Sequence, residues 1–164
     1  MKFDTSKLKP AGHRFSLAKS IATLGPIGYL PAPGTCATII AVVLVYLLHI
    51  LTISYMTYAA CVALLCIVAW YAVVHSLDHF RGHDPSEIVI DEVIGCAVTF
   101  FMIPLDAWYV IIGFALFRFF DIVKPCGLKK VERMGGAWGI LCDDIGAGLL
   151  SNVILHMIVY SGLL

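Results

Sequence analysis

Five carboxylates that stand inside otherwise apolar stretches are the residues of this chain best suited to chemistry. They are Asp91, Glu92, Asp121, Asp143 and Asp144. An ionisable side chain within a membrane-length apolar segment is costly, so such a residue is a functional candidate by default. All five offer oxygen ligands, and no histidine or cysteine cluster competes with them, so the set favours Mg²⁺ over Zn²⁺.

Asp91 and Glu92 belong to a polar segment that resembles the start of a helix. Asp84 suits the N-cap, Pro85 the first helical position, and Glu87 completes a capping box. The pattern therefore predicts a helix from about this point, with Asp91 and Glu92 one to two turns inside it. Asp84 and Glu87 are secondary site candidates, because capping alone also explains them.

A second polar segment surrounds Asp121. Arg118 lies three positions earlier, so the two side chains share a helix face, and Pro125 should end the helix at or just before Lys124. The functional interpretation assigns Asp121 to a metal ion and assigns Arg118 and Lys124 to an anion. The alternative is an ordinary ion pair between Arg118 and Asp121 at the helix end.

The third segment carries the adjacent pair Asp143 and Asp144. Neighbouring side chains on a helix point about 100° apart, so both face the protein only where the helix is closely surrounded. Gly139, Gly146 and Gly148 would permit that close approach. Two buried like charges repel one another unless a cation lies between them. The pair is therefore predicted to bind a divalent cation together with Asp91 and Asp121.

Basic residues near the carboxylates indicate an anionic substrate, with Arg118, Lys124 and Arg133 as the candidate phosphate ligands. A metal ion between carboxylates and a phosphomonoester would offset their repulsion, polarise the phosphorus and activate water. We therefore expect metal-assisted phosphate hydrolysis at a membrane surface. Direct attack by water, with one carboxylate as general base, is the preferred mechanism, and a phospho-aspartate intermediate is the alternative.

The elements that must position these residues are membrane helices. Apolar residues make up 60% of the 164 residues, charged residues 13%, and the mean hydropathy is +0.93, values far from those of soluble domains. We expect a single all-α, polytopic membrane domain over residues 1–164, with four to five transmembrane helices. The candidate spans are Thr35–Ile53, Tyr55–Val74, Ile88–Ile103, Leu105–Val123 and Gly139–Leu164.

Charge predicts the orientation of these spans. If the N-terminus is cytoplasmic and all five segments cross, all 11 basic residues lie on the cytoplasmic side, as the positive-inside rule requires. Residues 1–30 form a cytoplasmic or interfacial segment in which an in-plane amphipathic helix is expected. The expected substrate is a membrane phospholipid. No nucleic-acid partner is expected, and the oligomeric state is not predicted.

Four ordered motifs resemble those of the bacterial phosphatidylglycerophosphatase A family. They read PAPGT from Pro31, DPSEIVIDEVIG from Asp84, FRFFDIVKP from Phe117 and GILCDDIGAG from Gly139. The resemblance implies Mg²⁺-dependent removal of the terminal phosphate of phosphatidylglycerophosphate at the cytoplasmic face of the bacterial inner membrane. Thr35, in the first motif, is a further secondary candidate.

The resemblance places the five carboxylates on the family's acidic motif positions and Arg118, Lys124 and Arg133 on its basic ones. Glu132 departs from the pattern, because the family usually has aspartate before the arginine. An alternative from another class is a small membrane cation transporter that uses the same carboxylates, since carboxylates in spans also mark ion paths. The expected clustering of the carboxylates at one membrane face argues against a transporter.

Overall fold

The secondary structure is entirely helical in the part of the chain that the computed structural model describes, residues 16–80 and 85–162. The predicted all-α class is therefore confirmed for these residues. Single 3₁₀ turns at Ile27–Tyr29 and Leu77–His79 accompany the α-helices. The α-helices are α1 Leu17–Ala22, α2 Pro33–Ile50, α3 Tyr55–Ser76, α4 Ile90–Thr99, α5 Ala107–Val123, α6 Leu128–Glu132 and α7 Gly136–Ser161.

Three of the described helices are long and apolar enough to cross a membrane. They correspond to α2, α3 with the turn that follows it, and α7. The 18 residues of α2 extend about 27 Å, close to the roughly 30 Å of a hydrocarbon core. Large apolar side chains such as Leu47, Ile67 and Met157 are exposed on these helices, as expected where a helix contacts lipid.

The third and fourth candidate spans, Ile88–Ile103 and Leu105–Val123, form helices shorter than those stretches. Helix α4 has 10 residues, or about 15 Å of helix, half of the hydrocarbon thickness. Helix α5 has 17 residues, about 25 Å. The predicted total of four to five transmembrane helices is thus not confirmed by helix length and composition, which identify three among the described helices.

The predicted start of α4 is wrong. The helix begins at Ile90, after Val89, so Asp91 and Glu92 lie in its first turn and not one to two turns inside. The segment before it is held by other bonds: the Ile88 amide donates to the Pro85 carbonyl, and the Val89 amide donates to the Ala22 carbonyl at 2.9 Å. The bond to Ala22, which no local pattern signals, keeps this segment out of the helix. A carboxylate in a first turn is stabilised by the helix dipole.

The N-terminal amphipathic helix is not confirmed. Only α1, six residues long, lies in the described part, where Ser16 caps it by accepting a hydrogen bond from the Lys19 amide. Residues 1–15 of the predicted segment lie outside the described residues.

Helix α4 is the centre of the fold and packs most extensively against α7. A Cβ on Gly148 would overlap the Gly95 carbonyl oxygen, and a Cβ on Gly95 would lie 2.7 Å from the Asp144 carbonyl oxygen, so the two backbones touch. Asp91 neighbours Asp144 one turn before this crossing. The aspartate pair precedes the glycine pair on both helices, so α4 and α7 run parallel. Their acidic residues therefore lie at one level.

Asn152 fixes the other end of the α4–α7 contact. Its side-chain amide donates to the carbonyl oxygens of Thr99, at 3.0 Å, and Phe101, at 2.9 Å. These carbonyls lie where α4 ends, and carbonyls at a helix end have no donor within the helix. We expect Asn152→Leu to lower the free energy of unfolding by about 1–3 kcal/mol, the cost of buried acceptors left without donors. Thermal unfolding in detergent would measure it.

The matched control is Val153→Leu, because Val153 is 50% exposed on the same helix. Equal melting temperatures for the wild type, Asn152→Leu and Val153→Leu would contradict this role of Asn152.

Candidate active site

Three carboxylates form a compact cluster between α4 and α7. Asp91, Glu92 and Asp144 each offer one oxygen within 4.8 Å of the others. Asp91 is 7% exposed and Asp144 is 3% exposed. Oxygens Oδ1 of Asp91, Oε2 of Glu92 and Oδ2 of Asp144 are buried and receive no hydrogen bond. Buried anionic oxygens without partners are costly, so this set of hard oxygen donors fits a divalent cation such as Mg²⁺.

Arg118 and Asp121 approach the cluster from α5. Arg118 Nη1 lies 2.6 Å from Asp121 Oδ2 and 3.9 Å from Glu92 Oε1. The ion pair considered as the ordinary alternative is thus present, and both residues also line the cavity described below. The Nε of Arg118 is buried and donates to no acceptor. Arg118 therefore has a donor that is not used within the described structure.

Asp143 binds Lys124 and is not one of the three clustered carboxylates. Its Oδ2 accepts a hydrogen bond from Lys124 Nζ at 2.5 Å, and its Oδ1 accepts one from the Asp144 amide at 3.0 Å. Lys124 also donates to Glu132 Oε1 at 2.8 Å. Burial lowers the pKa of Lys124, but its bonds to Asp143 and Glu132 outweigh that effect and raise it above the usual value. Lys124 is therefore a cation that holds Asp143 beside the cluster.

Lys124 reaches this position because α5 ends as the sequence predicts. The helix stops at Val123, immediately before the Lys124–Pro125 pair, and Lys124 takes a left-handed conformation with φ of 49°. The link from Lys124 to Glu132 and Asp143 was missing from the sequence interpretation, which assigned Lys124 to phosphate and Asp143 to metal. Both assignments remain predictions.

A cavity of about 230 Å³ contains the cluster. It brings together all five predicted carboxylates, Arg118, Lys124 and the secondary candidate Thr35. The remaining lining residues come from the start of α2 and the segment before α4. The full lining comprises Ala32, Pro33, Gly34, Thr35, Pro85, Ser86, Ile88, Asp91, Glu92, Arg118, Asp121, Lys124, Asp143 and Asp144.

Three predicted residues are not among those that line the cavity. Arg133 is exposed and Glu87 is half-buried, and neither contributes to the lining. Asp84 lies outside the described residues. The roles assigned to these three residues remain predictions.

The N-terminus of α2 closes one side of the cavity. A Cβ on Gly34 would overlap Glu92 Oε1 and lie 3.1 Å from Arg118 Nη1, so only glycine leaves the Glu92 carboxylate in this position. Pro33 occupies the first turn, where its missing amide hydrogen is not needed. The amides of a helix N-terminus attract anions. Sequence reasoning missed Gly34, although its place in a Pro-Gly pair before an apolar helix was visible.

The residues from 20 to 159 match the family model described as Phosphatidylglycerophosphatase A. A Haemophilus influenzae protein named phosphatidylglycerophosphatase A is 33% identical, over 87% of this chain and 94% of its own length. The Escherichia coli protein of that name is also 33% identical, over 93% of this chain and 87% of its own length.

A Bacteroides thetaiotaomicron protein provisionally named as a phosphatidylinositol-3-phosphatase is 38% identical, over 78% of this chain and 84% of its own length. No solved structure matches the chain.

Proposed function

The chain belongs to the phosphatidylglycerophosphatase A family, and from this premise we propose that it hydrolyses phosphatidylglycerophosphate to phosphatidylglycerol and phosphate. The observation that carries the proposal is the cavity in which unpartnered oxygens of Asp91, Glu92 and Asp144 lie beside Arg118. Such a site combines ligands for a cation with a donor for a phosphate.

Asp91, Glu92 and Asp144 would hold Mg²⁺ in this proposal. When bound, the ion neutralises phosphate charge, polarises the phosphorus and makes water a stronger nucleophile. The protein's own contribution is to keep three acidic side chains buried at one level through the touching backbones of α4 and α7.

The phosphate would lie in the cavity, beside Arg118 and the first turn of α2. A guanidinium group binds phosphate oxygens through several parallel hydrogen bonds, and the Gly34 and Thr35 amides point from a helix N-terminus. Asp121 holds Arg118 in place through their 2.6 Å ion pair. A cavity carboxylate would accept the proton of the attacking water, since all five carboxylates line this space.

The exposed basic residues near the site support a cytoplasmic orientation. The start of α2, the start of α4 and the end of α5 meet at the cavity, and the exposed residues Lys129, Lys130 and Arg133 follow α5. The positive-inside rule assigns this end to the cytoplasm. We infer a site at the cytoplasmic face of the bacterial inner membrane.

The same orientation supports a five-pass topology. The segment after α4 lies beside the far end of α2, because Met102, Ile103 and Leu105 line one groove with His49 and Ile53. In this proposal α4 and that segment together make the third crossing, and α5 makes the fourth. The cation-transport alternative is favoured by no observation, and the three relatives are named as phosphatases.

Phosphate release from purified, detergent-solubilised protein tests the function. We expect release from phosphatidylglycerophosphate with Mg²⁺ and a loss of at least about a hundredfold with a chelator, because the ion supplies several kcal/mol of transition-state stabilisation. Phosphatidylinositol 3-phosphate and phosphatidic acid are the comparison substrates.

Higher kcat/KM on phosphatidylinositol 3-phosphate would move the substrate assignment to that of the Bacteroides relative. No release from any lipid phosphate would refute the hydrolase.

A further inference from the structure

An apolar groove of about 370 Å³ runs between α2 and α3, with α4 as its floor. It forms because α2 and α3 both pack on α4 while making little contact with each other in the described structure. The hydroxyl of Tyr58 donates to the Ala97 carbonyl at 2.8 Å, so the groove presents an apolar lining. Its residues include Leu44, Leu48, Cys61, Leu65, Val93 and Ala97.

The groove begins beside the candidate active site. Its floor residue Val93 directly follows Glu92, which lines the carboxylate cavity. On α2, Thr35 lines the cavity and Ala41 lines the groove, a separation of about 9 Å along the helix axis. A lipid with its phosphate in the cavity and its tail directed toward the bilayer centre would therefore extend along α2 to the level of the groove.

The groove is also open to the surrounding membrane. Leu44 and Leu47 on its α2 wall are 47% and 49% exposed, and α2 and α3 are among the three helices long enough to span a bilayer. Its volume of about 370 Å³ exceeds the roughly 150 Å³ in which an engineered cavity binds benzene. Part of an acyl chain therefore fits and can enter sideways from the lipid.

We propose that this groove binds an acyl chain of the lipid whose phosphate occupies the carboxylate cavity. The inference rests on the proposed function and adds that the protein selects a membrane lipid by its tail as well as its phosphate. The tail position follows from the adjacency of Glu92, which lines the cavity, and Val93, which lines the groove. Bulky side chains in the groove should therefore weaken long-chain substrates only.

Matched Leu→Trp variants test the groove. Leu44 lies in it, whereas Leu64, 61% exposed on α3, is not among its lining residues. For dipalmitoyl phosphatidylglycerophosphate we expect Leu44→Trp to lower kcat/KM about tenfold, mainly through KM, as for a few lost methylene contacts in an apolar pocket. For dihexanoyl phosphatidylglycerophosphate, Leu44→Trp should change kcat/KM by less than about twofold. Leu64→Trp should change kcat/KM for neither lipid. Cys61→Trp, on the opposite wall, should repeat the Leu44→Trp pattern.

Equal losses of kcat/KM on both lipids, or equal effects of Leu44→Trp and Leu64→Trp, would overturn the groove as an acyl site.

A second measurement does not depend on turnover: photo-crosslinking of the wild type to a phosphatidylglycerophosphate analogue with a diazirine in its acyl chain. We expect more labelling of Leu44–Leu48 and Cys61–Leu65 than with phosphatidylcholine carrying the same chain.

Equal labelling by the two lipids would mean that bulk lipid or a second protein copy covers the groove. Headgroup-dependent labelling without phosphate release would keep the groove and refute the hydrolase.

Discussion

Asp144→Asn is expected to lower phosphate release from phosphatidylglycerophosphate by about a thousandfold, equal to roughly 4 kcal/mol of transition-state stabilisation. The variant keeps the size of the side chain but removes a negative charge from a residue that is 3% exposed and has an unpartnered oxygen in the cluster. Asp91→Asn should have a similar effect, since Asp91 occupies the equivalent place on α4. Steady-state kinetics at saturating Mg²⁺ would measure both losses.

The matched control is Asp106→Asn. Asp106 is exposed before α5, far from the cavity lining, and its side chain makes no capping hydrogen bond. It should retain wild-type activity, and all variants should keep the helix content and detergent elution volume of the wild type. Activity of Asp144→Asn close to that of Asp106→Asn would contradict the carboxylate cluster as the catalytic centre.

Gly34→Ala is expected to reduce kcat/KM by about a hundredfold with little change in melting temperature, because small displacements of reacting groups have effects of this size. The added Cβ would overlap Glu92 Oε1 and crowd Arg118 Nη1. Rotation of the Glu92 side chain would relieve the overlap, so the helix can still pack while the carboxylate leaves its position. Kinetics and thermal unfolding of the same preparation would separate the two effects.

Gly146→Ala is the control for glycine substitution as such. Its added Cβ would meet the end of the Leu128 side chain, which can rotate without changing the cavity. It should retain activity within about threefold, because only a side chain outside the cavity lining adjusts its packing. A melting temperature for Gly34→Ala far below that of Gly146→Ala, with activity lost in proportion, would mean that Gly34 serves folding and not site geometry.

The apolar surroundings of the acidic residues made the candidate site predictable from sequence. A carboxylate among apolar residues has few structural explanations, and the structure collects all five in one cavity. The stop of α5 before Pro125 was also predictable, because proline disfavours helical geometry in the residue before it. Local chemistry alone determines that boundary.

Contacts between distant segments were not predictable from local patterns. Helix α4 starts at Ile90 because the Val89 amide is bonded to the Ala22 carbonyl, and such a tertiary bond overrides capping residues that otherwise favour an earlier start. The bond between Lys124 and Asp143, 19 positions apart, depends in the same way on how α5 meets α7.

The parallel register of α4 and α7 shows what the glycines contribute. Gly95 and Gly148 lie where the two backbones approach closely. The sequence alone does not show which helix packs against each glycine. The register, and with it the pairing of Asp91 with Asp144, follows only from the packed bundle. The five carboxylates were therefore identifiable, while the three that form the cluster were not.

The most direct test of the central claim is Mn²⁺ binding to detergent-solubilised protein, followed by electron paramagnetic resonance, with Mg²⁺ as competitor. If Asp91, Glu92 and Asp144 hold a divalent cation, the wild type and Asp106→Asn will bind Mn²⁺ and release it to Mg²⁺, whereas Asp91→Asn and Asp144→Asn will bind at least about tenfold more weakly. Equal Mn²⁺ binding by the wild type and Asp144→Asn would contradict the account.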